Sequence, residues 1–261
     1  MDGDPSSARR GRSATRAAES NDELVRIVKY RAASYLTGGV RDARVLDAMR
    51  DIDRARFLPH EYLWAAYLDE SVDIGRGQTC SQPSMTAFML DKLSLRPGLR
   101  VLEIGAGSGY AAALAALLCR PGGRVIAVEI IPELAARALA NCASAGPRYG
   151  PPLSDDIDFV AADGSAGLGE RGPFDRILVS AGVRRSRLRG LGGGREGGSG
   201  AEGGGGGGFR EEPLLDQLGP GGILVYPEER GNLYRIERRG EALLRDRWSG
   251  VAFVPLRGRN A

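Results

Sequence analysis

Val101-Leu102-Glu103-Ile104-Gly105-Ala106-Gly107-Ser108-Gly109-Tyr110 decides the fold of this chain. A short apolar run carries an acid and ends in a loop of alternating glycines. The Ala/Leu-rich segment Tyr110–Leu118 that follows reads as a helix. Strand, glycine turn, helix is the opening unit of a nucleotide-binding α/β sheet. The turn needs backbone angles that side chains resist. It also lets a ligand lie on the backbone at the helix start, where free N–H groups and the helix dipole favour a carboxylate or phosphate.

Glycine alternation alone leaves three readings: a turn with no ligand, a dinucleotide site of the G-x-G-x-x-G kind, or a different nucleotide cofactor. The spacing here is G-x-G-x-G, with Glu103 two residues before the first glycine. A carboxylate there opposes a pyrophosphate. It suits a cation, such as the amino group and sulfonium of S-adenosylmethionine. The next strand, Arg124–Val128, runs into Glu129. An acid at that strand end can accept both ribose hydroxyls.

A chain of 261 residues fits one α/β domain with appendages, and 42% hydrophobic content is enough for a core. The net charge is only +3, and Lys29 and Lys92 are the sole lysines, so the arginines read as compositional bias rather than a nucleic-acid footprint. Cys80, Cys119 and Cys142 lack metal-ligand spacing and are odd in number, which fits a reducing compartment. No apolar run is long enough to span a membrane, and the N-terminus lacks a signal-peptide core. A cytoplasmic, monomeric protein without a metal, nucleic-acid or membrane partner is expected.

Residues 1–20 are Arg/Ser/Ala/Gly-rich without apolar periodicity and are expected to be a disordered tail. Residues 21–261 read as a single domain. Asn21 or Asp22 can cap a first helix with Leu24, Ile27, Val28 and Tyr35 on one face, stopped by Gly38-Gly39. A second helix is expected over about Arg41–Asp51, then a short helical piece over Glu61–Tyr67. These elements are either a lid over the site or packing for the sheet. Ile74–Gln82 reads as a loop, with Pro83 starting a helix. Its polar side chains Gln78, Thr79, Ser81 and Gln82 are either turn chemistry and a helix cap or a cradle for a substrate. Further on, Pro132–Ser144 is a helix, and Ile157–Ala161 and Phe174–Val179 are strands. Asp163-Gly164 lies past the first of these strands, on the ligand-binding edge of the sheet. It is either a common turn dipeptide or an acceptor for an adenine amino group.

A Gly/Arg-rich segment at about 184–212, with six consecutive glycines at Gly203–Gly208, reads as a disordered insertion. Its arginines are either simply solvated or available to acidic partners or RNA. A helix at Pro213–Leu218, a tight turn at Gly219–Gly222 and strands at Ile223–Tyr226, Leu233–Arg238 and Trp248–Pro255 complete the chain. Strands without an intervening helix imply an antiparallel finish to the sheet.

The chain resembles the protein-L-isoaspartate O-methyltransferases from about Asp22 to Leu256, interrupted by the insertion. The specific part is the loop I-G-x-G-Q-T-x-S-x-P, here Ile74–Pro83 with Cys80 at the variable place. The glycine motif, Ile131–Leu134, Asp163-Gly164, Leu218–Gly222 and Phe253–Leu256 look like the family too. One stretch departs from its pattern: Val179-Ser180-Ala181-Gly182-Val183-Arg184 replaces the small residues and proline that usually follow the fourth strand.

The resemblance implies a Rossmann-like S-adenosylmethionine-dependent methyltransferase sheet with N-terminal helices. It implies methyl transfer to the free carboxylate of L-isoaspartyl residues in damaged proteins and peptides. The ester then collapses to a succinimide unaided, and hydrolysis returns some normal aspartate. By resemblance, Glu103, Gly105, Gly107, Ser108, Glu129, Asp163 and Gly164 hold the cofactor. Gln78, Thr79, Ser81 and Gln82 meet the substrate, with Ser81 and Thr79 at the reacting carboxylate. Such a carboxylate is already ionised at neutral pH, so no general base is required. That suits a chain whose one histidine, His60, reads as a surface residue. Two other readings stand beside this one: a methyltransferase of the same fold with another carboxylate or small-molecule acceptor, and a non-enzymatic S-adenosylmethionine-binding adaptor.

Overall fold

The computed structural model describes residues 20–35, 38–145, 147, 150–184 and 209–261. The expected disordered tail and most of the glycine-rich insertion lie outside them. Helices α1 (Asn21–Tyr35) and α2 (Ala43–Asp51) lead into a hairpin of β1 (Val72–Gly75) and β2 (Gln78–Cys80). Next come α3 (Pro83–Leu93), β3 (Arg100–Ile104), α4 (Tyr110–Cys119), β4 (Arg124–Glu129), α5 (Pro132–Ser144), β5 (Ile157–Ala161) and β6 (Phe174–Val179). The short α6 (Glu212–Leu215) and the strands β7 (Leu218–Pro227), β8 (Arg230–Arg239) and β9 (Ala242–Ala252) follow.

One seven-stranded sheet has the order β5-β4-β3-β6-β7-β8-β9. Its first five strands are parallel; β8 and β9 are antiparallel, as the missing crossover helices imply. The order reverses beside β3, so the crevice at its carboxyl end is the ligand edge of the sheet.

Side-chain alternation splits the core into two layers. Val101, Val125, Ala127 and Leu178 join α1–α5 on one face. Leu102, Ile104, Ile126, Val128 and Ile177 face the other, with Phe209, Leu214 and Leu215 over them. Glu103 has the parity of Val101, so its carboxyl enters the helix-covered layer.

Several local expectations change. Ser20, rather than Asn21 or Asp22, caps α1: its Oγ accepts from the Glu23 N–H at 3.3 Å, and Asn21 Nδ2 donates to the Met49 carbonyl at 2.6 Å. Helix α2 begins only after Asp42, whose side chain accepts from the Arg44 N–H. The N-terminal helices are packing: Leu24, Val25, Val28, Val45 and Met49 are buried in the core. The expected loop before Pro83 is a hairpin turning at Arg76-Gly77, both with positive φ. Gly219–Gly222 is not a separate turn. It lies within β7, where the register against β6 slips between Phe174 and Arg176. The insertion is shorter than expected at its distal end. The Phe209 N–H donates to the Arg184 carbonyl at 2.7 Å, Phe209 is buried against Tyr226, and α6 already starts at Glu212.

Candidate active site

Three acids stand at or just past the carboxyl ends of adjacent parallel strands: Glu103 in β3, Glu129 closing β4 and Asp163 after β5. Ser180 follows β6 directly. Glu103, Glu129 and Ser180 adjoin the glycine loop, whereas Asp163 lines neither of the two clefts beside it.

The loop is shaped by its glycines. Gly105, Gly107 and Gly109 have φ of 84°, 54° and 86°. A Cβ on Gly109 would lie 3.1–3.2 Å from Ala138 and Cys142 of α5, so this glycine is also demanded by helix packing. Gly107 sits against the hairpin, its missing Cβ 3.2 Å from Ile74 Cδ1.

Glu103 is 1% exposed. Its Oε1 accepts from Ser180 Oγ at 2.7 Å, and its Oε2 is buried without a partner among the described residues. Burial pushes this carboxyl from the ordinary 4.5 to about 8; the Ser180 hydrogen bond opposes the shift, and the charge of Glu129 adds to it. An orphaned buried carboxylate oxygen is costly unless a cation meets it. The ammonium group of S-adenosylmethionine fits that need.

The Glu129 carboxylate accepts from the Gly107 N–H at 2.9 Å and the Ile131 N–H at 3.0 Å. Those bonds hold it beside the glycine loop, and lone pairs remain for hydroxyl donors. Asp163 accepts from the Ser165 N–H at 2.9 Å and from the Arg259 N–H at 2.8 Å. Burial raises its pKa somewhat, but the Arg259 and Ser165 hydrogen bonds outweigh that and hold it below the ordinary value. Gly164 is buried, and a Cβ there would lie 2.9 Å from Val128 Cγ1. The Ser108 carbonyl accepts from Asn141 Nδ2 at 3.0 Å, fastening the loop to α5.

A cleft of about 450 Å³ brings Thr79 and Ser81 of the hairpin segment together with Glu103, Gly105, Gly107, Ser108 and Ser180. It adjoins a second cleft of about 490 Å³ that Glu129, Gly164 and Gln78 line with residues Val254–Arg257. Thr79 lines both. The other two hairpin-segment amides are engaged elsewhere: Gln82 Nε2 donates to Asp69 at 3.1 Å, and Gln78 Nε2 to the Gly77 carbonyl at 2.9 Å.

Other supporting residues had no local signal in the sequence. Arg54 is fully buried, and its guanidinium donates to the carbonyls of Ala66, Leu68, Glu70 and Ser81 at 2.8–3.3 Å. It ties the N-terminal segment to the backbone of Ser81. Arg137 of α5 donates to the Ile74 carbonyl. Asn260 bonds Ser165 through both its backbone and its side chain, so the chain's last residues close the Asp163 turn. Gly182, just after β6, is sterically required: a Cβ there would lie 2.4 Å from Glu229 Cα, so no larger residue fits.

The family model for protein-L-isoaspartate(D-aspartate) O-methyltransferase matches residues 21–186. A protein-L-isoaspartate O-methyltransferase of Methanopyrus kandleri is 38% identical over 244 residues, covering 91% of this chain and 95% of that protein. A protein-L-isoaspartate O-methyltransferase 2 of an Anaeromyxobacter species is 36% identical, covering 96% and 89%. A crystal structure of a putative protein-L-isoaspartate O-methyltransferase from Plasmodium falciparum, in complex with S-adenosyl-L-homocysteine, superposes with a TM-score of 0.69 at 26% identity, covering 92% of this chain and 99% of that one. On these matches the chain belongs to the protein-L-isoaspartate(D-aspartate) O-methyltransferase family.

Proposed function

We propose that this chain transfers a methyl group from S-adenosylmethionine to the free carboxylate of L-isoaspartyl residues in damaged proteins and peptides, the first step of their repair. The observation that carries the reading is the shared cleft: Thr79 and Ser81 line the same cavity as Glu103 and the glycine loop. A carboxylate held by the hairpin segment therefore lies beside whatever the glycine loop holds.

The co-substrate supplies a methyl group on a sulfonium that is already a good leaving group. The protein's own residues bind, orient and exclude water. Glu103 Oε2 takes the ammonium group, Glu129 the ribose hydroxyls and Asp163 the adenine amino group. Gly105, Gly107, Ser108 and Gly164 form the backbone surface against which the nucleoside packs. Ser81 donates its hydroxyl to the reacting carboxylate, and Thr79 forms the wall between the two reactants. No proton has to be removed, because the nucleophile is ionised at neutral pH. Alignment of two bound reactants accounts for roughly 7–11 kcal/mol of barrier in such reactions. Among the described residues there is no cluster fit to hold a metal ion and no helix long and apolar enough to cross a membrane. We assign the chain to the cytoplasm as a monomer without a nucleic-acid partner; light scattering tests the oligomeric state.

The deciding experiment uses two peptides that differ only in one linkage, aspartyl against isoaspartyl, incubated with the protein and methyl-labelled S-adenosylmethionine. Base-labile label is expected on the isoaspartyl peptide alone. Label on neither, with the cofactor bound in a calorimeter, would leave the fold intact and overturn the acceptor.

A further inference from the structure

A third space adjoins the site on the far side of the hairpin segment. This groove, about 970 Å³, is lined by Thr79, Ser81 and Gln82 on one wall and by Gly250–Val254 on the other. Thr79 and Ser81 belong to both the cofactor cleft and the groove. On the functional reading above, the groove is where the acceptor chain enters.

One charged residue lines it, Arg230, at the start of β8. Arg230 is exposed. Among the described residues its guanidinium has neither an ion pair nor a side-chain hydrogen bond. The neighbouring acids do not neutralise it. Glu229 is paired with Arg184 at 2.6 Å. Glu228 accepts from the backbone and side chain of Asn232 and from the Tyr234 hydroxyl. Asp69, behind Gln82, is engaged by the Ser84 N–H, Gln82 and Arg31. Glu228, Glu229 and Asp69 are committed, and among the described residues the Arg230 guanidinium is not.

We propose that Arg230 is a specificity-determining residue that reads a negative charge on the acceptor chain, favouring isoaspartyl sites flanked by an acidic residue. A guanidinium on a groove wall binds a carboxylate through parallel N–H donors. At a solvated site one such contact changes relative turnover by about 1.5- to 5-fold. The inference rests on the acceptor being an isoaspartyl peptide.

The test is kcat/KM for three isoaspartyl peptides with Glu, Gln or Lys at both flanking positions, at low and high salt. The expected order is Glu over Gln over Lys, flattening as salt rises. Arg230→Glu inverts the order, Arg230→Gln collapses it and Arg230→Lys keeps it. An order unchanged in Arg230→Glu, or an equal fall on all three peptides in Arg230→Gln, overturns the proposal; the latter places Arg230 on the reacting carboxylate instead. Failure of the unaltered protein to methylate any of the three, with cofactor still bound, overturns the acceptor reading itself and is distinguishable from both.

Discussion

Ser180 Oγ donates to Glu103 Oε1 at 2.7 Å, across the ends of two paired parallel strands. The bond fixes one oxygen of a buried carboxyl and leaves the other buried without a partner among the described residues. It also opposes the burial that would keep the group protonated. On the proposed function, Ser180 is thus a positioning residue for the acid that would meet the cofactor's cation.

Ser180→Ala is expected to weaken S-adenosylmethionine binding roughly tenfold, because a hydrogen bond to a charged acceptor contributes about 1.5–3 kcal/mol. Ser180→Thr restores the hydroxyl and most of the affinity. Calorimetric titration of both variants checks this. A purely structural role would instead lower melting temperature at unchanged affinity.

Cofactor binding should release a proton. Burial holds Glu103 at about 8, so at neutral pH much of it is protonated, whereas an ammonium group bound beside it would favour the carboxylate. Affinity is therefore expected to rise with pH up to about 8. Titrations in buffers of different ionisation enthalpy measure the proton directly, and Glu103→Gln abolishes its release.

The same group sets a stability slope. Its folded pKa is raised, so between its ordinary 4.5 and about 8 the folded state binds more protons than the unfolded one. Its contribution is full below about pH 4.5 and is lost as pH rises through about 8. Urea unfolding of the cofactor-free protein across this range should show stability falling, with a flatter profile in Glu103→Gln. Glu129 and Cys142 are the other titratable groups that couple to it, and burial keeps the Cys142 thiol up at about 12, outside this window.

Ser81→Ala is expected to lower kcat/KM for isoaspartyl peptides by about 10- to 100-fold, the scale of one lost hydrogen bond to a charged acceptor. Cofactor affinity should stay near normal, because Glu103 and Glu129 are untouched. Full activity in this variant would remove Ser81 from the site.

Arg54→Met leaves the carbonyls of Ala66, Leu68 and Glu70 without their donor. A loss of about 3 kcal/mol or more in unfolding free energy is expected from orphaned buried polar groups. Since Arg54 also holds the Ser81 carbonyl, peptide KM should rise at temperatures where the variant is still folded.

The βα alternation, the glycine loop and the placement of Glu103, Glu129 and Asp163 at or just past strand ends were legible in the sequence for a physical reason. Strand period, helix period and the left-handed angles of glycine are local properties, written in residues close together. The β1–β2 hairpin was legible as a motif but not as two strands: Val72–Cys80 is too short for periodicity to separate from turn chemistry. Only tertiary structure could supply the rest. Ser180 meets Glu103 from 77 residues away, the Arg259 N–H reaches Asp163 from 96, and the Arg54 guanidinium finds the Ser81 carbonyl across 27. Gly182 is small because the backbone of Glu229 passes against it. The fold is read from local pattern. Among the described residues, the orphaned oxygen of Glu103 and the unpaired guanidinium of Arg230 exist only once distant strands are packed, because burial and partnership belong to the whole chain.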